Sequence, residues 1–185
     1  PGQSLSISNS KFFNNMARDP VPTVFTASGG GVRIVDRCAD PPTVAPIAVS
    51  IANSEFRGNS SQPITTWGRG GAIQSYALAD ITISDTVIVG NHVDAPGSPV
   101  TGKNYHGGAI DAIAKSLRIE RSEIAGNSAN DVPTSDLTRS GGLHLYSDLP
   151  SRQGAGDAMS VRIINSTISG NVSSATAGAM FAYGN

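Results

Sequence analysis

Ile-Thr-Ile-Ser-Asp-Thr-Val-Ile-Val-Gly-Asn, residues 81–91, decides the fold, because four other stretches of the chain repeat its pattern. The related stretches are residues 5–15, 49–59, 117–127 and 161–171. All of them read apolar-x-Ile-x-x-(Ser or Thr)-x-apolar-x-(Gly or Asn)-Asn. A second block follows each stretch: Gly30-Gly31-Val32, Gly70-Gly71-Ala72-Ile73, Gly107-Gly108-Ala109-Ile110, Gly141-Gly142-Leu143 and the weaker Ala177-Gly178-Ala179-Met180. Self-similarity of this kind is typical of repeat architectures.

The repeated stretches keep their length, but the spacing between them varies. Their final asparagines are 44, 32, 36 and 44 residues apart along the chain. A solenoid has this property because its stacked core segments are obligatory and its connections are free. The sequence therefore predicts a single β-solenoid domain or segment over residues 1–185, with variable loops near 17–28, 36–46, 92–106, 128–140 and 147–159.

Within each stretch, the apolar-x-Ile segment alternates with period two, as expected of a half-buried strand. The next two residues break the alternation and predict a corner, after which (Ser or Thr)-x-apolar resumes as a second strand. Gly-Asn ends this strand because both residues tolerate positive φ, and the Gly-Gly block begins a third. Three short strands per repeat, each pairing with its counterpart in the next repeat, predict an all-β, right-handed parallel β-helix of about five coils.

Stacking of the repeats predicts ladders of equivalent side chains. The central isoleucines are expected to form an apolar ladder inside the solenoid, made of Ile7, Ile51, Ile83, Ile119 and Ile163. The final asparagines are expected to form a polar ladder at a corner, made of Asn15, Asn59, Asn91, Asn127 and Asn171. Side-chain amides at such a corner can bond to the repeats on both sides.

The Gly-Gly-Ala-Ile block, the apolar-Thr-Ile strand and the Ser-x-(Phe or Ile)-x-Gly-Asn turn together resemble the repeats of bacterial secreted right-handed β-helix proteins. Families of this kind include the chlamydial polymorphic outer-membrane proteins and large surface proteins with pectate-lyase-like solenoids. The resemblance covers nearly the whole chain and implies an extracellular or cell-surface setting in bacteria. It implies no particular activity, because this fold hosts lyases, glycosidases, adhesins and phage tailspikes.

The composition argues against several classes of function. The chain has a formal net charge of −1 and only 15% charged residues, with no basic cluster, so nucleic-acid binding is not expected. No apolar run approaches the ~20 residues of a membrane span. The one cysteine, Cys38, has no internal disulfide partner. No His/Cys cluster has zinc-site spacing, so the sequence predicts neither a metal site nor a cofactor.

The residues around the Gly-Gly blocks of the third and fourth repeats are the candidates for a glycan-facing surface. They are expected to share one outer face across two coils and comprise His106, Asp111, Arg139, His144 and Tyr146. Aligning the two Gly-Gly pairs puts His144 level with Ile110 and Asp111 level with Leu145. Because this alignment predicts no paired carboxylates and outer positions should face solvent, no catalytic residue is assigned.

Four aromatic residues are further candidates for stacking against sugar rings, namely Trp67, Tyr76, Tyr105 and Tyr146. Two functions of different classes remain open at this point. One is a non-enzymatic structural or adhesive role, as a stalk or filament whose uncapped ends stack on further coils or on other copies of the chain. The alternative is a carbohydrate-active module, either glycan-binding or part of a polysaccharide lyase or hydrolase. Acids and a cation converging in a groove would favour the second function.

Overall fold

The computed structural model describes residues 3–18, 27–35, 46–63, 67–94, 104–130, 138–146 and 159–183. These residues form short β-strands and contain no helix. Within the same ranges, therefore, nothing has the helical length and hydrophobicity that a membrane crossing requires.

Equivalent short strands follow one another in the same order in every repeat, five in each of the first three and four in the described part of each of the last two. The first repeat contains β1 (Ser4–Ser8), β2 (Lys11–Phe13), β3 (Met16–Arg18), β4 (Ala27–Ser28) and β5 (Val32–Val35). The second contains β6 (Ile47–Ala52), β7 (Glu55–Arg57), β8 (Ser60–Gln62), β9 (Trp67–Arg69) and β10 (Ile73–Tyr76). The third contains β11 (Ala79–Ser84), β12 (Val87–Val89), β13 (His92–Val93), β14 (Asn104–His106) and β15 (Ile110–Ile113). The last two contain β16 (Ser116–Glu120), β17 (Glu123–Ala125), β18 (Ser128–Ala129) and β19 (Leu143–Tyr146), then β20 (Ser160–Ile164), β21 (Thr167–Ser169), β22 (Val172–Ser173) and β23 (Met180–Tyr183).

Equivalent strands of successive repeats lie side by side and run parallel. Sheet 1 contains β1, β6, β11, β16 and β20, and sheet 2 contains β2, β7, β12, β17 and β21. Sheet 3 contains β3, β8, β13, β18 and β22, sheet 4 contains β4, β9 and β14, and sheet 5 contains β5, β10, β15, β19 and β23. The described chain is thus an all-β stack of parallel strands, consistent with a β-solenoid.

The structure corrects the predicted number of strands per repeat. Three were expected, whereas the first three repeats each contain five and the described parts of the last two contain four. Sheets 1, 2 and 5 correspond to the expected strands. Sheet 3 follows the Gly-Asn turn and sheet 4 precedes the Gly-Gly block. Their strands are two or three residues long, too short to display the alternation of apolar and polar residues by which a strand is recognised in a sequence.

The variable loops fall largely outside the described residues, which omit 19–26, 36–45, 95–103, 131–137 and 147–158. The described edges of the loops near 17–28, 92–106 and 128–140 include the short strands β3, β4, β13, β14 and β18.

The central isoleucines stack in register within sheet 1. Ile7 pairs with Ile51, Ile51 with Ile83, and the series continues through Ile119 to Ile163. Ile51, Ile83 and Ile119 are 0% exposed. Full burial of one such side chain contributes about 1.5–3 kcal/mol, so this row is a main source of stability.

The asparagine ladder links the repeats through side-chain amides. Nδ2 of Asn91 donates hydrogen bonds to Oδ1 of Asn127 (2.9 Å) and to the backbone carbonyl of Phe56 (3.0 Å). Oδ1 of Asn91 accepts from the backbone N–H (2.9 Å) and from Nδ2 (2.8 Å) of Asn59. Equivalent amide-to-amide bonds join Asn15 to Asn59 and Asn127 to Asn171. Each of the three central amides, Asn59, Asn91 and Asn127, therefore fixes the register of its own repeat against both neighbours.

The Gly-Gly block holds sheet 5 close to the backbone of sheet 3. A Cβ atom added at Gly108 would lie 2.3 Å from the carbonyl oxygen of Gly141 and 2.4 Å from that of Ser128. Gly107, just before it, has a φ of +61°, which glycine adopts at little cost. This tight turn places the end of sheet 4 beside the start of sheet 5, where the candidate residues lie.

Candidate functional site

Two rows of polar side chains meet where sheet 4 turns into sheet 5. In the first row, Arg69 pairs with His106 in sheet 4, and a β-bridge joins His106 to Arg139. In the second row, Asp111 pairs with His144 in sheet 5. The turn at each Gly-Gly block folds one row against the other, and contacts between the rows build the site.

The structure shifts the predicted alignment of the fourth repeat by one residue. Ser140, rather than the glycine after it, occupies the position of Gly107, and the two residues have similar positive φ values of 55° and 61°. Asp111 therefore pairs with His144 and not with Leu145. The sequence alignment missed this pairing because it matched the two Gly-Gly pairs. The left-handed position of this turn holds Ser140 instead, a conformation that residues other than glycine adopt at some cost.

The structure also corrects the expected exposure of the candidates. Outer positions were expected to face solvent, yet His106 is 5%, Asp111 0% and His144 2% exposed. The two rows cover each other at the corner, so these side chains lie beneath the surface of the solenoid. Polar groups this deeply buried need partners, and their contacts therefore constrain what the site does.

Asp111 is held as a carboxylate by basic neighbours. Its Oδ1 lies 2.5 Å from Nδ1 of His144, and its Oδ2 lies 3.8 Å from Nη1 of Arg69. Burial alone would raise the pKa of Asp111, but the hydrogen bond from His144 and the charge of Arg69 lower it below its usual value. Because an ionised carboxylate can only accept, Nδ1 of His144 donates this hydrogen bond.

His106 lies against this pair without joining it. Its ring centroid is 4.3 Å from that of His144. Burial, with the charge of His144 and the guanidinium groups of Arg69 and Arg139, lowers the pKa of His106 to about 3, although Asp111 acts in the opposite direction. His106 is consequently a neutral imidazole at ordinary pH. Neither of its ring nitrogens has a hydrogen-bond partner within the described structure.

A groove of about 350 Å³ opens over these groups. It is lined by Trp67, Arg69, Tyr76, His106, Ile113, Arg139, His144 and Tyr146. The Arg69 guanidinium lies 4.7 Å from the centroid of the Trp67 ring, and the Arg139 guanidinium lies 5.1 Å from that of Phe181. Trp67 and Tyr76 are 38% and 40% exposed, so the groove presents both cationic and aromatic surface to solvent.

The structure brings the five predicted candidates together. His106, Arg139, His144 and Tyr146 line the groove, and Asp111 lies below them with no exposed surface. Of the four aromatic residues suggested for stacking against sugars, Trp67 and Tyr76 line the groove together with Tyr146. Tyr105 does not, because it is fully buried with Val93 and Ala129.

Arg69 is the functional candidate that the sequence analysis missed. It lies directly before Gly70, as His106 lies directly before Gly107. Comparing the residue before the turn in each repeat would have placed Arg69, His106 and Arg139 in one row, but only with the fourth repeat aligned on Ser140.

The cluster offers two kinds of chemistry. Nε2 of His144, oriented by Asp111, can exchange a proton with a bound molecule. In addition, His106, Asp111 and His144 each offer one ligand atom within 4.8 Å of the others, an arrangement that the sequence spacing did not predict.

Comparisons of the chain with protein-family models, curated proteins and solved structures found no match.

Proposed function

We propose that this protein is a right-handed parallel β-helix of about five coils that binds an acidic carbohydrate chain in the groove between sheets 4 and 5. The observation that carries the proposal is the convergence of two guanidinium groups and exposed aromatic rings on one groove. A rigid solenoid of the kind that the repeats resemble, in bacterial extracellular or cell-surface proteins, would present this groove to surrounding glycans.

The charge of the groove favours an anionic ligand. Arg69 and Arg139 both line it, whereas Asp111, the one carboxylate of the described cluster, is buried and paired with His144. The chain as a whole has a net charge of −1, so the groove is a local exception. Guanidinium groups bind carboxylates through two parallel hydrogen bonds, and the carboxylates of uronic acids are suitable partners.

The aromatic rings supply the rest of a sugar site. The exposed faces of Trp67 and Tyr76 can pack against the apolar faces of sugar rings, as amphipathic aromatic side chains do at interfaces. The groove volume of about 350 Å³ lies at the lower end of the ~300–1,000 Å³ typical of ligand sites. The ligand that fits is a short segment of a glycan chain.

Replacing Arg139 with glutamine is expected to weaken binding of a uronic-acid oligosaccharide by about 10- to 100-fold, because one charge-assisted hydrogen bond is worth about 1.5–3 kcal/mol. Calorimetry in the presence of a chelator measures the affinity. Arg57→Gln is the matched control, since Arg57 is exposed in sheet 2 beside Glu55. Equal binding of acidic and neutral oligosaccharides by the unaltered protein, or equal effects of the two substitutions, would contradict the proposal.

The exposed apolar residues of the last repeat favour a second, structural or adhesive function. Val161 and Ile163 are 38% and 36% exposed, whereas the equivalent Leu117 and Ile119 are 1% and 0% exposed. We propose that further coils, from the same chain or from another copy, cover this surface and extend the solenoid into a stalk or filament.

Electron microscopy of the native material tests the structural function. Long rods or filaments are expected, because added coils would continue the stacked strands at their spacing of about 4.8 Å. Isolated rods no longer than five coils would argue against it and leave the groove as the functional part of the molecule.

A further inference from the structure

We propose that His106, Asp111 and His144 form a binding site for a divalent transition-metal ion, with zinc as the best-fitting metal. The proposal concerns the cluster beneath the groove and does not depend on the ligand that the groove binds. It rests on the convergence of the three side chains, on their unpaired atoms and on the rigidity of the strands that carry them.

The three side chains have the chemistry and placement of metal ligands. Each offers one ligand atom within 4.8 Å of the others, and all three residues are at least 95% buried. Imidazole nitrogen and carboxylate oxygen are ligands that zinc prefers. The residues lie on β14, β15 and β19 in two hydrogen-bonded sheets, so the positions of the ligands are set by the backbone of the solenoid.

Several buried polar atoms of the cluster lack a hydrogen-bond partner among the described residues, which indicates that a bound group completes it. Both ring nitrogens of His106, Nε2 of His144 and Oδ2 of Asp111 are buried without a hydrogen-bond partner in the described structure. Buried polar atoms are almost always paired in native proteins, and each exception calls for an explanation such as a bound water or ion. One shared ion that takes one atom from each residue would account for three of these four atoms.

The neighbouring arginines shape the site without occupying it. Arg69 approaches Oδ2 of Asp111 no closer than 3.8 Å and lies over Trp67, while Arg139 lies over Phe181. Their positive charges lower the affinity for a cation and favour an anionic oxygen as an additional ligand. Three protein ligands with one open position are typical of reactive zinc sites, whereas structural sites are closed by four.

Metal titration of the full chain tests the site in the absence of saccharide. Protein freed of metal with a chelator is titrated with zinc chloride by calorimetry and with cobalt chloride by visible absorption. We expect one saturable site per chain and a cobalt spectrum typical of nitrogen and oxygen ligands. His106→Ala and His144→Ala should each weaken zinc binding by at least about 10-fold, because removing one ligand of three opens the site.

His92→Ala is the matched control. His92 is the remaining histidine of the chain. Its Nε2 lies 3.7 Å from Oδ2 of Asp94, and no third ligand joins this His–Asp pair among the residues that the structure describes. Zinc binding should be unchanged in this variant. Thermal melts identify any variant that fails to fold, and the cobalt spectrum of the unaltered protein requires no substitution at all.

Two results would overturn the proposal. One is the lack of saturable binding by the unaltered protein, which would leave water as the occupant of the cluster. The other is a saturable zinc site that remains in both the His106→Ala and the His144→Ala protein, or that is lost in His92→Ala. Because glycan binding is measured with a chelator and metal binding without saccharide, each proposal can fail while the other stands.

Discussion

Replacing Ile119 with aspartate is expected to unfold the protein. Ile119 is 0% exposed and stacks between Ile83 and Ile163 in sheet 1, with no cation among these neighbours. Burying an ionisable group without a partner costs several kcal/mol, against a total stability of about 5–15 kcal/mol for a typical domain. The same result is expected for Ile83→Asp, because Ile83 occupies the equivalent position one repeat earlier.

Circular dichroism during heating measures this effect. Thr82→Asp is the control, since Thr82 adjoins Ile83 but points outward and is only half-buried. It pairs with Arg118 in the next repeat, so a carboxylate there has a cationic neighbour. A cooperative melt of the Ile119→Asp protein near the temperature of the unaltered protein would show that the isoleucine row does not lie in the core.

Replacing Asn91 with alanine is expected to lower the free energy of unfolding by roughly 2–6 kcal/mol. The substitution removes two donated and two accepted hydrogen bonds of a side chain that is 0% exposed. At least the backbone N–H of Asn59 and the carbonyl of Phe56 lose a buried partner. Each such loss costs about 1–3 kcal/mol.

Asn15→Ala is the matched comparison for Asn91→Ala in urea denaturation. The Asn15 side chain donates to Asn59 but accepts from no earlier repeat of the described chain, and we expect a loss of about 1 kcal/mol. Equal losses at the two positions would mean that the central amides contribute no more than one at the edge, contrary to the argument from buried partners.

Much of the architecture could be predicted from the sequence because equivalent positions of the five repeats have the same structural environment and carry similar residues. The isoleucines and asparagines recur at fixed offsets within each stretch, and stacking allows few other arrangements of such a pattern. The strands of sheets 3 and 4 escaped detection for a physical reason. These strands are only two or three residues long, and strands such as His92–Val93 are held by backbone hydrogen bonds to neighbouring repeats. Backbone hydrogen bonds do not require particular side chains, so the sequence shows no pattern at these positions.

The candidate site was predictable in part of its membership but not in its geometry. His106, Asp111 and His144 were grouped on one outer face, where exposure to solvent was expected, whereas they lie together beneath the surface. Their contact depends on Ser140 occupying a left-handed position with a φ of 55°. A residue other than glycine there shifts the alignment by one and creates the pairing of Asp111 with His144. The burial of these side chains arises from two sheets meeting at a corner, which no pattern within a single repeat records.

The variable spacing of the asparagines has an evolutionary consequence. Between 32 and 44 residues separate amides that nevertheless form the same hydrogen bond, so insertions and deletions between repeats leave the register of the stack unchanged. Such a gene can gain or lose segments at its connections, and can duplicate whole repeats, without redesigning the interior. The same tolerance makes the connections suitable places to graft foreign peptides onto a scaffold that holds them at fixed spacing.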